Sequence, residues 1–274
     1  MDVRRVAVVA DAGSAVGRAT ALELAAAGHD VAVIAGAGAH LDELAVALLR
    51  HGARAVAIEV DRHDMASMQG AANEVERRLG EIDTWIEVAS FSAVTSLPDD
   101  SYLARAIGAV AAINAMTARN RGVIVCVNSA ASYRPEPKHP TEAAEAFALR
   151  GFLQALRTDL LRRNLEIRLV NVLAPAAMLR ERWGEEEGQA AQATDLARAI
   201  TRAARGGRRF HVHRLATWLA IVGTRIAPGV SDHLVALRSP SQPGAARSAA
   251  DTVRELGTAT TARAREILRL AAPS

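Results

Sequence analysis

Residues 6–34 read VAVVADAGSAVGRATALELAAAGHDVAVI, and the order of signals in this stretch decides the fold. Val6 to Ala10 form a short, continuously apolar run rich in valine, which suits a strand covered on both faces. A turn containing Gly13 follows. From Ser14 onward apolar residues recur at helical spacing as far as Gly28, a residue type that readily takes the left-handed backbone that ends a helix. Val31 to Ile34 then repeat the strand signal. A helix between two strands carries the chain back to the end where the first strand began, so the two strands lie parallel.

The alternation continues outward. HLDELAVALLRHG (40–52) predicts a second helix stopped at Gly52, and ARAVAIEV (53–60) a third strand. An amphipathic stretch at 64–80, a strand-like IDTWIEVA (82–89), a helix at 101–120 and the buried run GVIVCVNS (122–129) come next. A long helix over 141–164, a strand at 166–174, a helix at 195–207 and a last strand in RRFHVHR (208–214) complete the series. Continuously apolar strands alternating with helices imply an α/β, Rossmann-type, doubly wound parallel sheet. This single domain is expected over residues 1–238. The Ser, Pro and Gly content of SPSQPGAARS (239–248) then marks a linker, and 239–274 is expected to be a partly helical tail.

Composition narrows the partners. A chain of 274 residues, half of them hydrophobic, buries one large core without needing a second domain. The formal net charge is only +3, acids and bases are interspersed, and no basic run is interleaved with aromatics, which argues against nucleic acid. Lys138 is the sole lysine, and the arginine and alanine enrichment suits a GC-rich bacterial genome. The single cysteine, Cys126, lies inside an apolar run and reads as a core residue of a reducing compartment. The N-terminus has no signal-peptide pattern, and LATWLAIVG (215–223) is far short of the roughly 20 residues that span a bilayer. A cytoplasmic protein with no membrane partner is expected.

Several of these segments together resemble the short-chain dehydrogenase/reductase family over about residues 3–238. VAVVADAGSAVGRATALELAAAGHDVAVI is similar to its first strand, glycine-rich turn and helix, EVDRHD (59–64) to its acidic motif after the third strand, and GEIDTWIEVAS (80–90) to its fourth strand. GVIVCVNSAASYR (122–134) is similar to the strand that carries the catalytic serine, and IAPGVSDHLV (226–235) to a C-terminal feature of one bacterial branch. The resemblance implies a dinucleotide site in which Gly13 and Gly17 shape the turn and Asp61 bonds the adenine amine. It also implies losses. In ADAGSAVG (10–17) Gly17 is kept, Asp11 and Ala15 replace two glycines, and Gly13 is displaced, so a carboxylate is expected to face the phosphates. The cofactor expectation is therefore none, or weak NAD(P) on a degraded site.

The catalytic set departs further. Ser129 is in place, but Glu142 aligns with the family's tyrosine, Ala146 with its lysine, and Glu87 with the first asparagine of N-N-A-G. A carboxyl group with an ordinary pKa of about 4.3 is ionised at neutral pH and is a poor proton donor to a carbonyl. The resemblance brings Glu87, Glu142, Ser129 and Tyr133 to one cleft, with His139 nearby. Two neighbouring carboxylates split into an acid and a base. The first expectation is a bacterial, specialised-metabolic protein that binds a small organic molecule and moves a proton without hydride transfer, in a dehydration, isomerisation or cyclisation. A second is a non-catalytic pseudoenzyme or assembly partner, with Glu142 a solvated helix residue behind a cap at Thr141 or a neighbour. A third is a residual NAD(P)-dependent oxidoreductase. The apolar stripe of 147–164 suits a homodimer, a homotetramer or a hetero-oligomer with an active relative. His211 and His213 share a strand face but lack further ligands, so no metal is expected. Trp183 stands where a substrate lid would close.

Overall fold

The computed structural model describes residues 4–88, 91–92, 101–135, 139–181, 186–208 and 210–226. Its strands are β1 (Val6–Ala10), β2 (Asp30–Ala35), β3 (Ala55–Glu59), β4 (Ile82–Glu87), β5 (Phe91–Ser92), β6 (Gly122–Ser129), β7 (Ile167–Ala174), β8 (Arg180–Glu181) and β9 (Phe210–Val212). The helices are α1 (Ala15–Ala26), α2 (Leu41–Arg50), α3 (Met65–Leu79), α4 (Ser101–Thr117), α5 (Pro140–Arg162), α6 (Glu186–Arg205) and α7 (Leu215–Ile226). Seven of the strands form one parallel sheet in the order β3-β2-β1-β4-β6-β7-β9.

Helices cover both faces, which is why the strands have no polar side. On one face Ala7, Val9, Val31 and Val33 pack under α1, α2 and α6, through Leu24, Leu44, Leu48, Leu196 and Ile200. On the other, Val8, Ile34, Trp85 and Ile124 pack under α3, α4 and α5, through Met68, Val75, Ile113, Leu149 and Leu153. Cys126 is fully buried in that second layer, and burial keeps its thiol protonated. The chain winds outward from β1 to β3 and then returns to lay β4 beside β1. That reversal opens a crevice beyond the carboxyl ends of the two strands, at Ala10 and Glu87.

Local structure departs from the expected boundaries in instructive ways. α1 stops at Ala26, with Gly28 at φ 85° completing the turn. α6 begins at Glu186, well before the expected start at residue 195, because the sequence of its first turns is polar and carries little apolar periodicity. The two-stranded parallel ladder of β5 with β8 is too short to leave a signal in sequence. α5 has Pro140 in its first turn, and the cap position falls to a neighbour of Thr141, His139, with no side-chain cap bond. Trp183, Lys138 and the 239–274 tail lie outside the described residues. No helix among the described residues is long and apolar enough to cross a membrane.

Candidate functional site

The turn from β1 to α1 is built by backbone demands. Asp11 takes the left-handed conformation at φ 68°, one that aspartate tolerates better than most residues. Ser14 caps α1: its Oγ accepts from the Gly17 amide at 3.1 Å and donates to the Asp11 carbonyl at 2.8 Å. A side chain at Gly17 would collide with the Asp11 carbonyl and lie 2.8 Å from Ala12 Cα. The glycine is thus required by the turn itself. Gly13 faces the Ala39 methyl, 3.1 Å from where its own Cβ would stand.

A cleft of about 740 Å³ opens beside this turn, lined by Asp11, Gly36, Asp61, Arg62, Ser67 and Arg105 among others. Asp61 is exposed there and accepts the His63 amide at 2.9 Å. Asp11 does not present a bare charge to the cleft. Arg62 Nη1 lies 3.0 Å from its carboxylate, while Nη2 of the same guanidinium donates to Glu87 Oε2 at 3.2 Å. The expected repulsion between Asp11 and a phosphate is therefore offset by a cation that sequence reading passed over.

Glu87 ends β4 and points into the α3–α4–α5 layer, where none of its surface reaches solvent. Trp85, two residues earlier on the same strand face, donates Nε1–H to Glu87 Oε1 at 2.6 Å. Gly108 of α4 closes the chamber, since a Cβ there would overlap the same oxygen. Burial pushes the carboxyl pKa up to about 7 against the pull of Arg62, the Trp85 bond and Arg105, with Asp11 adding to the rise. Arg105 is itself fully buried, and desolvation lowers its pKa. The sequence reading paired Glu87 with Glu142 in one cleft. Glu87 bonds Trp85 and Arg62, and none of its surface reaches solvent.

Glu142 sits one turn into α5 and is 7% exposed, so it is not a solvated helix residue. Ser129, at the end of β6 and fully buried, donates Oγ–H to Glu142 Oε1 at 3.1 Å. The serine is held from behind: its Oγ accepts the Ala131 amide at 3.1 Å, its carbonyl accepts Ser132 Oγ at 2.7 Å, and its amide donates to Asn128 Oδ1 at 2.8 Å. Asn128 also donates Nδ2–H to the Ala146 carbonyl at 3.0 Å, clamping α5 onto the end of β6. Ala146 is fully buried, and its methyl packs with Ala131 and Ala143. Beside this pair, Tyr133 lies edge-on to Phe210 at 6.0 Å and under the Arg150 guanidinium at 4.5 Å.

The family model for short chain dehydrogenases matches residues 5–188. The chain belongs to that family. Among its curated relatives, a short chain dehydrogenase of Pseudocercospora fijiensis is 25% identical over 57% of this chain and 55% of its own length. A hydroxynaphthalene reductase of Aspergillus fumigatus is 27% identical over 72% of this chain and 74% of the relative. A cis-2,3-dihydrobiphenyl-2,3-diol dehydrogenase of a Pseudomonas species is 31% identical over 63% and 66%. The chain thus spans about half to three quarters of these three relatives.

Of the residues singled out in sequence, the fold brings Ser129 and Glu142 into contact, sets Tyr133 in the turn that follows β6, puts Asp61 in the lining of the cleft, and places Gly13 and Gly17 at the β1-to-α1 junction beside it. His213 is drawn away to Asp195, 3.2 Å from its Nε2, and burial lowers its pKa. No cluster of three or more His, Cys, Asp or Glu suited to a metal forms among the described residues. Arg62, Arg105, Gly108 and Asn128 were missed. The signal available for Arg62 and Arg105 was chemical necessity, because a glutamate at the end of an apolar strand demands a cationic neighbour.

Proposed function

We propose that this short-chain dehydrogenase-fold protein binds a small cyclic organic molecule bearing hydroxyl or carbonyl groups and transfers a proton at it without hydride transfer. The 3.1 Å contact between Ser129 Oγ and Glu142 Oε1 carries the reading. Where the family resemblance expects a phenol to protonate a carbonyl, this chain has a carboxylate already receiving a serine proton. Such a pair acts as a base: Glu142 takes a proton from a substrate carbon, and the carboxylic acid so formed returns it to another carbon in an isomerisation or to the departing hydroxyl in a dehydration, while Ser129, fixed by Asn128 and the Ala131 amide, orients the reacting oxygen. The family resemblance aligns Ala146 with the lysine, and a buried methyl stands at that position. The substrate class follows from relatives named for hydroxynaphthalene and a dihydrobiphenyl diol.

The test incubates the purified protein with hydroxynaphthalenes and cyclic dihydrodiols, with and without NAD(P)H, and reads products by mass spectrometry. Expected is a product isomeric with the substrate, or lighter by one water, formed without nicotinamide and lost in Glu142→Gln. Conversion that requires nicotinamide and survives Glu142→Gln would overturn the reading.

A second reading, retained dinucleotide binding at the switch point, is favoured by one observation: Arg62 neutralises Asp11 beside an open cleft. In that case Gly13 and Gly17 would admit the pyrophosphate at the start of α1, and Asp61 would meet the adenine. Titration of the protein with NADH and NADPH by fluorescence checks it, with no saturation at millimolar cofactor as the adverse result.

A further inference from the structure

The opposite pole of the sheet, where the strands begin, gathers arginines from distant parts of the chain. Arg4 and Arg5 precede β1, Arg54 precedes β3, Arg121 precedes β6, Arg168 lies in β7 and Arg205 ends α6. All six line one cavity of about 590 Å³, against only two lining carboxylates, Glu81 and Asp83. Several of these charges are already engaged. Arg54 pairs with Asp30 at 2.7 Å, Arg121 with Glu81 at 3.1 Å, and Asp83 accepts the Val6 amide at 3.0 Å. Arg4 bonds the Gly52 carbonyl and Arg168 the Ala204 carbonyl.

Arg5 and Arg205 have no ion pair among the described residues, yet both sit close enough to His29 to depress its pKa, behind burial as the main cause. The imidazole is itself fixed, Nδ1 lying 3.2 Å from the Leu24 carbonyl. Two guanidiniums acting on one nearly buried ring repel each other, and Asp83, which lines the same cavity and acts on the ring in the opposite sense, is a single carboxylate against the two.

Thr201 supplies a second, independent sign. It lines the same cavity, is 5% exposed, and its Oγ1 has no hydrogen-bond partner. Thr20, Thr117, Thr158 and Thr194 each turn their hydroxyl back to the carbonyl four residues earlier, as helical threonines commonly do. Thr201 does not. A buried hydroxyl left unpaired destabilises the fold, and a ligand oxygen would relieve that cost.

We propose that this cavity is a second binding site, for a small phosphorylated metabolite whose phosphate is held by Arg5, Arg205 and the Thr201 hydroxyl. Phosphate fits better than a monocarboxylate because it offers several acceptor oxygens and a double charge to forked guanidiniums. The volume lies within the roughly 300–1,000 Å³ range of small-molecule pockets, which leaves room for the organic part. The site is at the far end of the strands from the switch-point cleft, so both can be filled together.

Calorimetric titration of the full chain with inorganic phosphate, at ionic strength balanced with chloride, tests the proposal. Saturable binding is expected, weakened roughly tenfold in Arg5→Ala and in Arg205→Ala, and weakened also in Thr201→Val. Both arginines are exposed, so these two variants decide the outcome even where Thr201→Val fails to fold. Absence of saturable heat, or equal affinity in the parent and both arginine variants, overturns the proposal. The second result would assign phosphate to another site such as the switch-point cleft.

Discussion

Two glutamates stand at positions where the family resemblance expects an asparagine and a tyrosine, and the molecule treats them in opposite ways. Glu87 is sealed under Gly108, bonded by Trp85 and Arg62, and pushed up to about 7 by burial. Glu142 accepts a hydrogen bond from a serine hydroxyl at the end of β6, beside the turn that carries Tyr133. The difference teaches that a substituted acid in a family motif does not by itself mark chemistry. What matters is whether its surroundings enclose it among bonding partners, as they do at 87, or set it against a serine hydroxyl at the end of a strand, as they do at 142.

The sharpest way to break this comparison is to remove the cation that makes the first site tolerable. Arg62→Met leaves Glu87 buried without its ion pair and Asp11 without a neutralising partner. Losing one member of a buried pair typically costs about 3–5 kcal/mol, so urea denaturation at pH 8 is expected to show a loss of that order. At pH 5 the loss shrinks, because Glu87 is then protonated. An unchanged midpoint at both pH values would mean that the ion pair does not support the fold.

The pH dependence of the parent sharpens the same point. Because the folded-state pKa of Glu87 lies above its ordinary value of 4.5, its contribution to stability is fully present below that value and is lost as pH rises through about 7. The lost amount is of the order of 3 kcal/mol. His29, His211 and His213 work in the other direction, since their lowered pKa values cost stability as pH falls. Subtracting the stability curve of Glu87→Gln from that of the parent isolates the glutamate. The difference is expected to turn against the parent between pH 5 and 8, and a flat difference would refute the assignment.

Gly108→Ala comes next in size. Its methyl would occupy the space of Glu87 Oε1, and overpacking of a close-fitted interior costs about 1–3 kcal/mol. Adding Glu87→Ala to Gly108→Ala is expected to recover part of the loss, because the oxygen that collides is gone. Additive losses in thermal melts would show that the two positions do not meet.

How much of this was legible follows from the kind of signal each feature leaves. Valine runs and glycine stops leave periodic patterns, so the β1–α1–β2 unit, the parallel sheet and the layers on both faces were readable. Ser129 and Glu142 were readable because they are 13 residues apart across one β6–α5 connection whose geometry the family resemblance supplies. Arg62, Arg105 and Gly108 were not, since each owes its role to a side chain on another element. The partners of Glu87 come from the loop after β3 and from the interior of α4, contacts that no spacing along the chain encodes. The same limit hid the arginines at the strand starts, which are scattered in sequence between residues 4 and 205 and meet only when the sheet forms.

The smallest expected change completes the comparison. Glu142→Gln keeps the size of the side chain and an oxygen able to accept the Ser129 proton, and its setting against the serine hydroxyl survives the loss of charge. The stability change should stay below about 1 kcal/mol, the scale of one hydrogen bond exchanged for a slightly weaker one. Chemical denaturation of this variant beside Glu87→Gln checks it. A proton-transferring carboxylate predicts an unmoved midpoint with conversion lost, whereas a carboxylate retained for the fold predicts the reverse. If Glu142→Gln destabilises as strongly as Arg62→Met, then both glutamates serve the fold, and the contrast between a sealed carboxylate and a working one fails.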